Sequence, residues 1–206
     1  MLRLRYAARA CRLRGAHDLL LPRLSDRRPR AQGSSALTLA ALMSELLEAL
    51  YQGQDERVGE LLAGDPLLDV FEAAALGRTP RLRVLLEENA SLANAFGDDG
   101  FHPLGLACFF GHLEAARLLL EHGADVNVLS RNEHIQTAAI HAACGAQDVD
   151  EATRYDLVEL ALEHGADPNL PQGGGFRPID AARQNGDARV EQLLLDHGAA
   201  SPPGES

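Results

Sequence analysis

The sequence predicts an all-α solenoid of stacked antiparallel helix pairs joined by hairpin-like loops, with about five repeats when degenerate end copies are counted. Three observations carry this expectation. The pattern running from Pro103 to Asn127 recurs twice downstream, and Gly165 and Gly198 stand 33 residues apart. Each copy contains two short apolar stretches at helical spacing, the first opened by Pro103 or Pro178 in two of them and the second closed by glycine. Leu and Ala dominate a chain that is 46% apolar, 4% aromatic and free of Trp, which suits close Ala-lined helix contacts better than a large aromatic core.

In chain order, residues 1–42 come first and differ from the rest. Residues 1–36 carry nine Arg against Asp18 and Asp26, broken by Pro22 and Pro29. Three readings stay open: a disordered basic arm, a transit-like targeting segment, or untranslated leader with the true start at Met43. The second Met is followed at once by Ser-Glu-Leu-Leu-Glu-Ala-Leu, the opening of an amphipathic helix. The repeat domain is therefore expected over 43–200, followed by a disordered tail at 201–206.

Five pairs are expected within it, near 44–65, 69–94, 102–127, 138–169 and 177–199. The first, Glu45 to Gly53 with Val58 to Asp65, is truncated and reads as a cap. In the second, Asp69 to Gly77 aligns with Pro103 to Gly111, and Thr79-Pro80 supplies a cap and a first-turn proline. The third is the clearest copy. The fourth runs from Ala139-Ile-His-Ala-Ala to Gly-Ala-Asp-Pro-Asn169, and the fifth from Pro178-Ile-Asp-Ala-Ala to His-Gly-Ala199. Ala73, Ala107, Ala143 and Ala182 fall at one place in the first helix, where a small residue permits close approach. No single pair can bury its apolar face alone, so stacking must stabilise the array.

These residues resemble the ankyrin family, most specifically in Gly-Ala-Asp-Val-Asn at 123–127 and Gly-Ala-Asp-Pro-Asn at 165–169. The period of 33 residues is the one that family has, and the absence of Lys suggests a bacterial type of coding bias. The family's Thr-Pro-Leu-His turn is degraded to His102-Pro-Leu-Gly, Ala138-Ala-Ile-His and Arg177-Pro-Ile-Asp, so its side-chain hydrogen bonds should be partly missing. The resemblance implies a non-catalytic protein-binding module. It places Phe101, Phe109, Phe110 and Phe176 at variable contact positions on the concave side and hairpin tips, with Asp98 and Asp99 beside them. For Phe109 and Phe110 the competing reading is packing between repeats. Two insertions depart from the family, one between Gly123 and Ala139 and one between Gln147 and Gly165; loop drift explains either.

Composition limits the partners. Residues 37–206 carry 10 Arg against 28 Asp and Glu, a balance near −18, which repels phosphate backbones and favours a basic partner or one with an apolar anchor. No nucleic acid, membrane, metal or cofactor is expected, and the chain reads as a monomer. His122, His164 and His197 recur with the repeat and lack the spacing of a coordination sphere. Gly173-Gly-Gly175 lacks the Lys and Ser or Thr of a phosphate loop. Cys11, Cys108 and Cys144 form no paired framework, so a reducing, cytoplasmic setting is expected, or a mitochondrial one if residues 1–42 are a transit peptide. Two alternative functions are a regulatory or accessory subunit of an enzyme and a self-associating scaffold. Because every repeat feature begins at or after Met43, removing residues 1–42 is expected to leave cooperative thermal unfolding intact. Circular dichroism melts of the two chains check this, and loss of the transition in the shorter one would refute it.

Overall fold

The structure, a computed structural model, describes residues 44–200 apart from Glu133 and Gln147. The Arg-rich segment, the start at Met43 and the tail at 201–206 lie outside the described residues. Among the described residues, ten α-helices form five antiparallel pairs: α1 (Glu45–Gln52) with α2 (Asp55–Ala63), α3 (Val70–Ala75) with α4 (Thr79–Glu88), α5 (Pro103–Phe109) with α6 (Leu113–Glu121), α7 (Ala139–Gly145) with α8 (Glu151–Glu163), and α9 (Pro178–Asn185) with α10 (Ala188–Asp196). One 3-10 turn, Ala90–Asn94, follows α4, and no strand occurs among the described residues.

The first helix of each pair packs on the first helix of the next, and α4, α6, α8 and α10 stack as a second layer. The Ala positions explain the close spacing of the first layer: Ala73, Ala107, Ala143 and Ala182 are all 0% exposed. Leu82, Leu119, Leu157 and Leu194 come from the second layer to fill the space between layers, each fully buried. Burying such a side chain contributes roughly 1.5–3 kcal/mol. By contrast, α2 buries no residue.

Chain ends of the helices are set by local chemistry. Pro103 and Pro178 sit in the first turn of α5 and α9, where no amide is needed. Gly123, Gly165 and Gly198 follow the second helices with φ of 81°, 83° and 88°, a backbone region that penalises any Cβ. Just before two of them, His122 and His164 turn Nδ1 onto the carbonyls of Leu118 and Leu160 at 2.8 and 2.9 Å, so these histidines cap helices. At α4 the cap falls on Arg78, with Thr79 and Pro80 already helical and no side chain capping the turn.

An asparagine then ties each turn to the next repeat. Asn94 Nδ2 donates to the Gly123 carbonyl at 2.8 Å while its Oδ1 accepts the Asp125 amide at 2.8 Å. Asn127 does the same to Gly165 and Asp167, and Asn169 to Gly198 and Ala200. Fingers of the loop region stack likewise: the Arg131 amide donates to the Gly100 carbonyl at 2.7 Å and the Gly173 amide to that of Gln136 at 3.0 Å.

The degraded turns keep hydrogen bonds by substitution. In the third pair His102 takes the cap position itself, and its Nδ1 accepts the Gly105 amide at 3.1 Å. A Cβ on Gly105 would lie 3.1 Å from the imidazole, so the histidine fills the space that glycine vacates. At α9, Asp180 accepts the Arg177 amide at 2.9 Å. His141 accepts the Ala138 amide and its Nε2 donates to the Leu170 carbonyl at 2.8 Å. The expected shortfall remains at two caps, since neither Ala138 nor Arg177 caps its helix with a side chain, and among the described residues His102 Nε2 is buried without a close hydrogen-bond partner.

The longer second insertion is built into the fold, with α8 running 13 residues where α6 and α10 have nine. Arg154, 8% exposed, donates to the carbonyls of Ala146 and Val149 and pairs with Asp187 at 3.1 Å. The first insertion is closed by Asn132 and Ser130: Asn132 Oδ1 accepts the amides of His134 and Ile135, and Ser130 Oγ donates to the Ile135 carbonyl. Replacing Asn127 by Ala removes both inter-repeat bonds at the centre of the stack. With partial replacement by water at this exposed site, a loss of about 1–2 kcal/mol is expected. Thermal and urea melts measure it, and an unchanged midpoint would show that water serves equally well.

Candidate functional site

A small aromatic cluster forms on the finger side of the first helices. Its buried members are Leu47 and Tyr51 from α1, Ala75 from α3, Leu106 from α5 and Phe101 from the finger before α5, with Phe110 packed against them. No second helix contributes, so the cluster stands apart from the main core and faces the loops. Tyr51 lies at its centre, 6.4 Å from the Phe101 ring and 5.8 Å from that of Phe110. Phe109 meets Phe110 edge-on at 5.1 Å.

The structure corrects the expected position of Phe101. At 5% exposure it is a core ring, held inward because its amide donates to Asp99 Oδ1 at 3.0 Å and its carbonyl accepts the Gly97 amide. Asp99 is half-buried: its Oδ2 accepts the Tyr51 hydroxyl at 2.8 Å and its carbonyl accepts Asn132 Nδ2 at 2.7 Å. It braces the finger against α1. Asp98 next to it is exposed. Phe109 and Phe110 are half-buried at the end of α5, with one part of each ring packed and the remainder in solvent. Phe176 is half-buried on the main core in the fifth pair and does not join the cluster.

Sequence reasoning missed Tyr51 and Arg131 as neighbours of this face. The Arg131 guanidinium lies 3.9 Å from the centroid of Phe96, whose ring meets His102 edge-on at 6.2 Å. Tyr51 carried a readable signal, an aromatic in a first helix of an otherwise aliphatic pair. The Arg131 contact depends on how two fingers stack, which no local pattern encodes. Among the described residues, no three His, Cys, Asp or Glu side chains gather as a metal-binding group, and no helix is long and apolar enough to cross a membrane. Burial pushes the Cys108 thiol up to about 12 and raises Cys144 further, so both stay protonated and pack as core.

Stacked helix pairs with clamped turns and a finger-side aromatic face define a helical-repeat scaffold. A family model of ankyrin repeats in three copies matches residues 40–130. YahD of Escherichia coli (strain K12), named as an ankyrin repeat protein, is 31% identical over 172 residues, covering 82% of each chain. The ankyrin repeat and SAM domain-containing protein 6 of Rattus norvegicus is 34% identical over 127 residues, and the ankyrin repeat and SOCS box protein 16 of Mus musculus 33% over 142. This chain spans only 13% and 29% of those two proteins. The chain belongs to the ankyrin-repeat family.

Two buried histidines beneath this face titrate far from their ordinary range. Burial lowers both His102 and His141 to about 4, against weaker opposing contributions from Asp125 and the Thr137 carbonyl for the first and the Leu170 and Phe176 carbonyls for the second. The folded chain therefore refuses protons that the unfolded chain accepts between pH 6.5 and 4. Stability is full above pH 6.5 and is lost as pH falls towards 4, by on the order of a few kcal/mol for the pair. Melts from pH 7 to pH 4.5 should show the decline. His102→Asn, which keeps a capping oxygen, should remove about half of it; an unchanged slope would exclude His102 as a source.

Proposed function

We propose that this protein is a non-catalytic interaction module that docks a protein partner on the first-helix face, with the Phe109–Phe110 pair as apolar anchor and Asp98 at its acidic margin. One observation carries the reading: two contiguous phenylalanines stand half out of solvent on a rigid helix end, supported from below by Tyr51 and Phe101. A ring held in place yet partly exposed loses little conformational freedom on binding, which is the property of an interface anchor. Ankyrin repeats serve generally as protein-binding modules, and this supports the same conclusion. Phe176, on the last finger, extends the face towards the carboxyl end. The partner suited to it is basic with an apolar anchor, because the body carries 28 acids against 10 Arg in residues 37–206.

Charge and rings should act on different rates. Attraction between exposed charges is screened beyond about 8 Å at physiological salt, so it favours encounter more than residence. A pull-down from the native cell with wild-type and Phe109→Ala/Phe110→Ala baits identifies the partner. Surface plasmon resonance then measures each change. Phe110→Ala is expected to cost about 2 kcal/mol, mostly as faster dissociation, and Asp98→Asn to slow association and flatten its salt dependence. If the folded fraction of the phenylalanine variants binds with normal affinity, the rings are core only and the partner docks elsewhere.

A further inference from the structure

The outer side of α4 carries an apolar centre with charges of both signs around it. Among the described residues the exposed large apolar side chains are Leu67, 84% exposed, and Val84, 43% exposed. Val84 stands on the side of α4 turned away from Leu82 and Leu86, which are buried in the core. Leu67 is held beside the same helix on a stiff loop. Asp65 has a φ of 48°, Pro66 fixes the next φ, and Arg81 Nε donates to the Leu68 carbonyl at 2.9 Å.

Charge runs against the dipole of this helix. Arg78 caps it, Arg81 and Arg83 follow in its first half, and Glu87 and Glu88 close it, with no acid in the first turn and no base in the last. Each end therefore repels its own pole of the macrodipole, which is unfavourable for the helix taken alone. Arg78, Arg83, Glu87 and Glu88 are exposed, and among the described residues no ion pair reaches them or Arg81. A second helix of the same sequence laid antiparallel across Val84 relieves both ends at once.

The helical period makes this fit specific. At about 100° per residue, Arg83 and Glu87 fall on one flank of Val84, and Arg81 and Glu88 on the other. A two-fold axis at Val84 reverses the helix direction and keeps each flank on its own side. Arg81 then lies within roughly 2 Å, along the helix axis, of Glu88 in the other copy, and Arg83 within roughly 3 Å of the other Glu87. The two Arg83 side chains meet beside the axis, each with a Glu87 of the other copy on its outer side. We propose that α4 pairs antiparallel with α4 of a second copy of this chain about a two-fold axis at Val84, with Arg83 against Glu87 and Arg81 against Glu88, and with Leu67 widening the apolar contact. Such a contact closes on itself and stops at two copies. It replaces the monomer expected from composition with a dimer that leaves the first-helix layer free, so two copies of the Phe109–Phe110 face act together on one assembly. The pairing stands independently of the role given to that face.

Sedimentation equilibrium of the full chain over a hundredfold range of concentration tests it. Exposed ion pairs are individually weak, so the mass of wild type is expected to rise towards twice that of the monomer only at the upper end and to fall back in high salt. Arg83→Glu alone, or Glu87→Arg alone, sets like charges along a whole flank and should weaken association at least tenfold, while melts confirm that each variant is folded. An equimolar mixture of these two variants restores opposite charges across the axis and should associate at least as tightly as wild type, as should the Arg83→Glu/Glu87→Arg double variant within threefold. Recovery in the mixture cannot arise from a change within one chain. A wild type that stays monomeric or grows beyond two copies, single variants that associate normally, or a mixture that fails to recover would each overturn the proposal. Phe109→Ala/Phe110→Ala should dimerise as wild type does; loss of the dimer there would assign self-association to the aromatic face and overturn pairing through α4.

Discussion

The asparagine at the end of each turn is the constraint on which the stack depends. A helix pair of this size cannot bury its apolar face alone, and apolar contact by itself tolerates sliding. Asn94, Asn127 and Asn169 each use both amide functions across a repeat boundary, one donating to a glycine carbonyl and the other accepting an amide two residues further on. A slip of one residue would break both bonds at once. The directional pair thus fixes the register in which Ala107 meets its neighbours and the leucines of the second layer fill the gap.

Much of this was legible because Asn127 and Asn169 belong to the repeated Gly-Ala-Asp-x-Asn pattern, whereas Asn94 ends Ala-Ser-Leu-Ala-Asn and carries no such signature. What the pattern did not disclose is how degenerate turns recover. Writing the turn as His102-Pro-Leu-Gly suggested the loss of two polar residues, whereas the imidazole caps the helix and occupies the volume left by Gly105. The compensation couples positions three residues apart and needs three-dimensional space to become visible. Asp180 and the insertion around Arg154 follow the same logic: a departure from the family pattern is matched by a new hydrogen bond or ion pair within the same turn or with the next repeat.

The candidate face was legible in part. The family resemblance placed Phe109 and Phe110 at contact positions, and both stand half-exposed at the end of α5. Phe101 did not follow, because the residue two before the turn proline points inward when Asp99 bonds its amide and Tyr51 supplies a ring to pack on. Both partners lie outside the local motif, Tyr51 in another repeat. The acidic pair likewise splits into two roles. Asp99 braces the finger through Tyr51 and Asn132, leaving Asp98 to meet solvent.

The clamps are unevenly distributed along the molecule. Among the described residues, they join the second pair to the third, the third to the fourth and the fourth to the fifth, while α1 and α2 are held by Tyr51, the buried Leu46 and Leu47, and no amide bridge of this kind. Tension applied to the two ends would pass through these junctions in series, and the junction that lacks a directional clamp would part before the others. The amino-terminal pair would peel away first and lengthen the molecule by one unit while the remaining four stay locked. Under load the scaffold would therefore yield in ordered steps beginning at that end, and Asp99 would lose its brace at the first step.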